Sequence, residues 1–230
     1  MSLKEYRKKR SFDATPEPPG REEPAPKRNT PLIFVVQKHQ ASHLHYDFRL
    51  EWNGALLSWA VPKGLSLDPS VKRLAMPTED HPIEYAGFEG VIPPGQYGAG
   101  TVMAWDQGVW APEVEDVDAA LRGGELKFEL RGTKLKGSWV LVRTGGSWAG
   151  SGRPAWLLIK HRDRFASKKD ITLEEPRSAS TRRLLVEIAQ DEGGDVERAA
   201  AGDPNSKGAR PGATASSGRT RARRTRSAHA

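Results

Sequence analysis

The chain lacks several features that would assign it to a familiar class of protein. It contains no cysteine, which excludes disulfide bonds and a thiol nucleophile. No apolar run approaches the roughly 20 residues of a membrane span, and no apolar stretch follows the basic N-terminus as it would in a secretory signal. We therefore expect a soluble, cytoplasmic protein without membrane contact, and take it to be a monomer.

Acidic residues are missing from the C-terminus. The stretch from Pro204 to Ala230 has seven basic residues and no Asp or Glu, so it carries the whole formal net charge of +7. Its Gly, Ser, Ala and Arg content cannot build a core, and we predict a disordered tail at 204–230. A polybasic tail indicates binding to a polyanion, nucleic acid first, and hence association with the nucleoid. A solubilising extension without a partner explains the same composition.

Short apolar segments separated by Gly- and Pro-rich turns dominate the rest of the chain. This pattern predicts an all-β fold, namely a small closed or partly closed β-barrel with short helices and disordered termini. The strongest local signal is Asn53-Gly54, a two-residue hairpin turn between two apolar runs. We predict strands at 33–38, 43–52, 55–61, 83–88, 101–107, 125–130, 137–143 and 155–161, a helical turn within 4–10, and helices at 117–121 and 181–189.

Composition divides the chain into four parts. Its 230 residues leave room for one domain of ordinary size plus appendages. Residues 1–30 are charged and proline-rich and are predicted to be an arm, with regular structure beginning at Pro31. Residues 31–175 form the predicted β-barrel, 176–203 a helical extension, and 204–230 the tail.

The segment from His43 to Trp52 alternates strictly between polar and apolar residues. A period of two places the polar members on one face of a strand. These are His43, His45, Asp47, Arg49 and Glu51. Imidazole and carboxylate together are ligands for a divalent metal, and a guanidinium beside them suits a phosphate. The pattern therefore predicts a metal-assisted phosphate site. Three of the six histidines fall within 39–45, which favours a site over a merely solvated strand face.

Candidates outside this strand carry weaker signals. The run Glu79-Asp-His-Pro-Ile-Glu-Tyr85 collects ionisable side chains, and the proline after His81 holds that residue extended. Lys63 and Arg73 flank a loop, and individually they fit a plain surface better than a site. The glycine-rich segment 87–100 has neither the Gly-Lys-Ser/Thr ending of a P-loop nor the spacing of a dinucleotide fold. We interpret it as a turn or bulge between strands.

Five segments taken together resemble the 3′-phosphoesterase domain of bacterial DNA ligase D, including its stand-alone homologues. They are Phe34-Val-Val-Gln-Lys-His39, His43-Leu-His-Tyr-Asp-Phe-Arg-Leu50, Ser58-Trp-Ala-Val-Pro-Lys-Gly64, Glu79-Asp-His-Pro82 and Tyr85-Ala-Gly-Phe-Glu-Gly-Val-Ile-Pro93. The match runs in order from about residue 4 to about residue 165. No single motif decides the resemblance, but the ordered set is specific.

The resemblance implies a small β-barrel that heals 3′ ends of DNA during double-strand break repair by non-homologous end joining. Such a domain removes a terminal 3′ ribonucleotide from a DNA or DNA–RNA primer-template. It then hydrolyses the remaining 3′-phosphate to a 3′-hydroxyl, with Mn2+ as the preferred metal and other divalent ions as substitutes. Ligase, polymerase and end-binding partners would act in trans.

Carried over by motif, the resemblance implies metal ligands at His39, His45 and Asp47. Residues implied to contact or support the scissile phosphate are Arg49, His81, Lys63, Arg73 and Tyr85. Further substrate-binding or supporting residues are implied at Arg10, Glu17, Gln37, Glu79 and Asp80. One position departs from the family, because Ser11 stands where its arm usually has Asp, with Asp13 as the candidate substitute.

Two other classes stay open at this point. His45 and Asp47 with a distant His81 or His161 would also suit a non-haem iron oxygenase, a class that likewise uses β-barrels. A catalytically idle DNA-binding module that recruits a ligase is the third interpretation. The neighbouring guanidinium and the basic arm and tail favour phosphate chemistry over iron.

Overall fold

The computed structural model describes residues 3–20, 30–147 and 154–204. Within these residues, nine strands form one antiparallel sheet: β1 Leu32–Gln40, β2 Leu44–Trp52, β3 Ala55–Val61, β4 Lys72–Pro77, β5 Gly90–Ile92, β6 Gly100–Pro112, β7 Glu125–Gly132, β8 Lys136–Ser147 and β9 Pro154–Lys160. Their order is β1-β2-β3-β4-β9-β8-β7-β6-β5, and an additional β1–β6 pairing closes eight of them into a barrel, with β5 added beside β6. The predicted all-β barrel is confirmed.

Alternation along each strand sorts side chains between the barrel interior and its outer face. On β2, Tyr46, Phe48 and Leu50 are buried in the interior core. The Tyr46 ring meets Trp105 edge-on at 5.3 Å between centroids, and Phe48 stacks on Phe128 at 5.8 Å. The polar residues of the same strand therefore lie on the outer face.

The hairpin between β2 and β3 is the one that the Asn-Gly pair predicts. Asn53 and Gly54 have φ values of 50° and 80°, the left-handed backbone of a type I′ turn. The sequence analysis did not predict strands β4 and β5. β4 begins with two basic residues and ends at a proline, and its main partner β9 is distant in sequence. β5 has only three residues.

The strand predicted at 83–88 is wrong, because Ile83–Gly87 form a 3₁₀ turn. The N–H of Tyr85 donates to the carbonyl of Pro82 and that of Phe88 donates to the carbonyl of Tyr85, each at 3.0 Å. These three-residue steps follow Pro82, whose fixed φ suits the start of a turn. They bury the Tyr85 side chain, which is 2% exposed.

Five short helices complete the described chain: α1 Lys4–Lys8, α2 Val117–Gly123, α3 Ile171–Glu174, α4 Leu185–Asp191 and α5 Val196–Ala201. The predicted turn within 4–10 and the helix at 117–121 are confirmed, whereas the helix predicted at 181–189 begins only at Leu185. Arg182 has a φ of +66°, which is incompatible with a helix, and the Glu187 carboxylate accepts from the Leu184 N–H at 2.7 Å to start the first turn. None of these helices has the length and apolar content of a membrane span.

Ordered structure begins before Pro31, contrary to the prediction from composition. Tyr6 is fully buried, and it forms a second apolar cluster with Val35, Leu56 and Tyr85 on the outer face of the barrel. The arm is too polar to build a core alone, but in this cluster the barrel wall supplies the apolar side chains against which Tyr6 packs. Residues 21–29 and 205–230, and with them the predicted disordered tail, lie outside the described residues.

The C-terminal helices pack against the barrel. Leu185, Ile188 and Ala199 belong to the interior core cluster. Lys38 of β1 forms an ion pair with Asp203 at 2.9 Å, with both side chains almost fully buried. The proposed division between a barrel at 31–175 and an extension at 176–203 remains a prediction, although the two parts share one core.

Candidate active site

A cavity of about 210 Å³ opens on the outer face of the barrel, where β1, β2 and β3 run side by side. The strand register places His39 opposite His45, and Asp47 opposite Ala60. The N-terminal arm, the segment that follows β4, and β5 with the loop after it supply the remaining walls. The lining residues are Arg10, His39, Ala41, His45, Asp47, Arg49, Ala60, Thr78, Glu79, His81, Tyr85, Ile92, Tyr97 and Gly98.

Three lining side chains form a group that could hold a metal. One ligand atom from each of His39, His45 and Asp47 lies within 4.8 Å of the others. Nδ1 of His39 and Nε2 of His45 are each 3.7 Å from Oδ2 of Asp47. The outer ring nitrogens contact carbonyls, Gly98 at 2.8 Å for His39 and His43 at 3.0 Å for His45. Because a carbonyl can only accept, each outer nitrogen carries the proton and the inner lone pairs face Asp47.

Protonation states in this group suit a divalent cation. Burial alone would raise the pKa of Asp47, but the Arg49 guanidinium, with Nη2 3.2 Å from Oδ2, is the main charge that lowers this pKa far below its ordinary value. Burial lowers the pKa of His45 by more than the Asp47 charge raises it. An ionised carboxylate and a neutral imidazole are the forms that bind metal.

The Arg49 guanidinium is held from several sides. Its Nε donates to Oε1 of Gln37 at 2.9 Å, and its Nη1 donates to Oγ of Ser58 at 2.7 Å. Gln37 in turn donates to the carbonyls of Tyr85 and Phe88 at 3.0 and 2.9 Å. A cation oriented in this way needs little rearrangement to meet an anionic group in the cavity.

His81 lies between two guanidiniums. Its Nδ1 is 2.9 Å from Nη1 of Arg49, and its Nε2 is 3.2 Å from Nη2 of Arg10. The Glu79 carbonyl, 2.8 Å from Nδ1, places the ring proton there and leaves Nε2 to accept from Arg10. Burial first, and then the two positive charges, lower the pKa of His81 well below its ordinary value. The imidazole is therefore neutral in this arrangement.

The N-terminal arm carries Arg10 into the cavity and fixes it there. Its Nε pairs with the buried Glu17 carboxylate at 2.8 Å, and its Nη1 pairs with Glu79 at 3.2 Å. Glu17 also accepts from the Tyr85 hydroxyl at 2.9 Å, and Glu79 accepts from Lys9 at 2.9 Å. Burial, reinforced by the Glu17 charge, raises the pKa of Tyr85 well above its ordinary value. These hydrogen bonds tie the arm to the barrel wall.

Most of the residues implied by the resemblance line the cavity, but three acidic or amide residues do not. Gln37 and Glu17 lie behind it, where they orient Arg49 and Arg10. Asp80 is half-buried outside the lining. Their part in substrate binding stays a prediction.

Two implied basic residues are placed elsewhere. Lys63 is exposed in the turn after β3 and does not line the cavity. Arg73 lies opposite Leu158 of β9, on the core-facing side of β4, and its buried Nε has no hydrogen-bond partner among the described residues. Their support of the phosphate stays a prediction. Ser11 and Asp13 are both exposed, and neither lines the cavity.

Sequence reasoning overlooked Ser58, Thr78 and Tyr97. The contact of Ser58 with Arg49 could have been predicted from the sequence. A two-residue hairpin turn sets the register of β2 with β3, and this register brings Arg49 opposite Ser58. Tyr97 belongs to the glycine-rich segment, which is a wall of the cavity as well as a connection between strands. No sequence pattern pointed to Thr78.

Comparison with known families agrees with this geometry. Residues 37–143 match the model of the family described as the DNA Ligase D 3′-phosphoesterase domain, a range that includes the candidate metal group, Arg49 and His81. This part of the chain belongs to the DNA ligase D 3′-phosphoesterase family. The resemblance carried by the five sequence segments is confirmed.

Curated relatives extend the similarity beyond that range. The chain is 49% identical over 189 residues to the multifunctional non-homologous end joining protein LigD of Pseudomonas aeruginosa, covering 80% of this chain and 22% of that protein. It is 46% identical over 144 residues to the corresponding protein of Mycobacterium tuberculosis, covering 63% and 18%, and 44% identical over 149 residues to that of Mycolicibacterium smegmatis, covering 63% and 19%. The chain thus spans about a fifth of the length of these relatives.

Proposed function

We propose that this protein is a metal-dependent phosphoesterase that heals 3′ ends of DNA in double-strand break repair. It would remove a 3′-terminal ribonucleotide by phosphodiester hydrolysis and then the 3′-phosphate by phosphomonoester hydrolysis. One observation carries the proposal: a His-His-Asp group and two guanidiniums line the same cavity. The family description supports the phosphoesterase chemistry, and the names of the relatives support non-homologous end joining.

Mn2+ is the ion we propose for the group of His39, His45 and Asp47, with other divalent ions as substitutes. Two imidazole lone pairs directed at one ionised carboxylate form a mixed nitrogen and oxygen donor set, which suits a borderline divalent ion. A bound ion would supply a Lewis acid to the phosphoryl group.

Arg49 and Arg10 provide the fixed positive charge that phosphoryl transfer requires. Negative charge builds on the phosphoryl oxygens in the transition state, and preoriented donors stabilise it without rearrangement. His81 lies between the two guanidiniums. A phosphoryl anion entering there would offset both charges and raise the pKa of His81, so that its Nε2 could hold the proton delivered to the leaving oxygen.

We propose 3′ ends of DNA or DNA–RNA primer-templates as the substrate, with ligase, polymerase and end-binding partners in trans. The cavity is on the outer wall of the barrel, where a strand end can reach it without entering the core. Binding of the same DNA by the basic tail at 204–230, and a location in the cytoplasm near the nucleoid, are parts of this proposal.

The two-histidine, one-carboxylate donor set also suits a non-haem iron oxygenase. The sequence left open whether His81 or His161 would complete that set. His39 completes it instead, while His161 contacts Ser138 at 2.7 Å outside the cavity. Two guanidiniums facing the cavity favour a phosphoryl substrate. Turnover that needs Fe(II) and a 2-oxo acid would decide for the oxygenase.

The direct test uses a primer-template whose primer ends in a 3′ ribonucleotide, incubated with Mn2+ with and without EDTA. Wild type should release the terminal nucleoside and then phosphate, only in the presence of metal. His45→Ala should lose on the order of 10²-fold or more of this rate, the scale of one preorganised catalytic group. His161→Ala is the matched control, a histidine outside the cavity, and should retain the rate.

Three other outcomes would change the conclusion. Undiminished cleavage in EDTA or in His45→Ala would reject the metal-dependent mechanism. DNA binding without cleavage, unaffected by His45→Ala, would identify an idle recruitment module. Accumulation of the 3′-phosphate would show that only the diesterase step is active and would direct attention to Ser11.

A further inference from the structure

Tyr97 is the one exposed aromatic side chain in the described part of the chain. It is 51% exposed, whereas the other three tyrosines, Tyr6, Tyr46 and Tyr85, are buried. Burial of aromatic rings is strongly favourable, so a fold that buries its other tyrosines leaves this one in water at a cost. Its position at the candidate active site makes that exposure informative.

The backbone around Tyr97 is fixed relative to the metal group. Tyr97 lines the cavity that contains His39 and His81. The next residue, Gly98, accepts the hydrogen bond from Nε2 of His39 at 2.8 Å, and its φ of +78° suits glycine at this turn. The ring is therefore carried by a loop that is itself bonded to a candidate ligand.

Two cations of the arm approach the Tyr97 ring. Nζ of Lys9 is 4.4 Å from the ring centroid and 3.3 Å from the hydroxyl, and Cζ of Arg10 is 5.7 Å from the centroid. Cation–π attraction of this kind orients the ring, while about half of the side chain stays accessible. An accessible ring beside a guanidinium-lined cavity matches a nucleotide, with phosphate in the cavity and a base on the ring.

We propose that Tyr97 stacks on a nucleobase next to the scissile phosphate and so positions the 3′ end. The proposal rests on the phosphoesterase function and assigns a part of the substrate that neither the metal group nor the guanidiniums contact. Stacking accepts any base, because every base presents a π face. That tolerance suits an enzyme that meets broken ends of varied sequence. The stacked base belongs either to the terminal nucleotide, which is removed, or to the nucleotide before it, which stays on the primer.

Three primer-templates distinguish these sources: a complete one, one with an abasic 3′-terminal ribose, and one abasic at the nucleotide before it. In wild type, the abasic site at the stacked position should raise KM about tenfold, within the range for one base–aromatic stack. Tyr97→Leu should raise KM by the same factor on the complete substrate. On the substrate that is abasic at the stacked position, its KM should be no higher than that of wild type. Tyr97→Phe should behave as wild type.

Leu173→Ala is the control, since Leu173 is an exposed apolar residue outside the cavity. It should leave all three KM values unchanged. The inference is overturned if Tyr97→Leu loses nothing, or if it loses the same factor on complete and abasic substrates, because the ring would then act without the base.

Fluorescence provides a readout without turnover. 2-Aminopurine at the stacked position, with EDTA present, should be quenched by wild type and Leu173→Ala but not by Tyr97→Leu. Equal quenching by all three proteins rejects the stacking. Absence of hydrolysis by wild type in Mn2+ would reject the phosphoesterase function, whereas the quenching result would still decide the role of Tyr97.

Discussion

The buried ion pair between Lys38 and Asp203 leads to a quantitative prediction about stability. Nζ and Oδ1 are 2.9 Å apart, and the two side chains are 1% and 0% exposed. Removing one partner of such a pair leaves an uncompensated buried charge, at a cost of about 3–5 kcal/mol. We expect this loss in the free energy of unfolding for Asp203→Asn. Replacing both partners by apolar residues should cost far less, because a buried pair is often no better than well-packed hydrophobic residues.

The effect of Asp203→Asn should also depend on pH in one direction. Burial lowers the pKa of Lys38 below its ordinary 10.5 even with Asp203 present. Between the folded-state pKa and 10.5, the unfolded chain binds more protons, so stability rises with pH in that window. Loss of the carboxylate lowers the folded-state pKa further and starts this rise at a lower pH. The variant should therefore recover part of its deficit as the pH approaches 10.5.

Urea unfolding followed by tryptophan fluorescence measures both effects. The set is wild type, Asp203→Asn, Lys38→Met and the double variant Lys38→Met/Asp203→Leu. The reasoning is refuted if each single variant loses less than about 1 kcal/mol, the scale of an exposed pair. It is equally refuted if the double variant loses the sum of the two single losses, since uncoupled sites are additive.

Three further predictions concern the cavity. Ser58→Ala leaves one Arg49 N–H unpaired and should lower kcat/KM about tenfold, for a loss of about 1–3 kcal/mol; an unchanged value would contradict the positioning role. Arg49→Lys removes the planar fork and should lower kcat/KM about 10²-fold, and calorimetric Mn2+ titration should show retained binding. Burial raises the pKa of Glu79, but the Lys9 hydrogen bond and the positive charges of Lys9 and Arg10 together lower it below 4.5, so Glu79 stabilises the fold above that pH and the contribution is lost on acidification. In Glu79→Gln, the free energy of unfolding should therefore depend less steeply on pH below 4.5 than in wild type. An equally steep dependence in the variant would contradict this prediction.

The sequence placed His45 and Asp47 of the candidate metal group on one strand face because that part of the geometry is local. Alternation brings His45 and Asp47 to one face of a strand, and the Asn-Gly turn sets the register of β2 with β3. His39 reaches the same face through pairing of β1 with β2, which a short connection makes nearly unavoidable. The 3₁₀ turn around Tyr85 was missed because its apolar pattern looks like a strand, and burial of Tyr85 against the arm and the barrel wall, which favours the turn, is not visible in the local sequence.

Local patterns thus determined that this chain forms a β-barrel, which strand carries His45 and Asp47 of the candidate metal group, and which family its motifs resemble. Tertiary structure decided that Arg10 reaches the cavity and is held there by Glu17, that Gln37 acts through Arg49, that Arg73 faces the core side of β4, and that Asp203 neutralises Lys38. Period and turn chemistry act over a few residues and can be read along the chain. Contacts between residues far apart in sequence depend on how the barrel closes, and no local pattern encodes them.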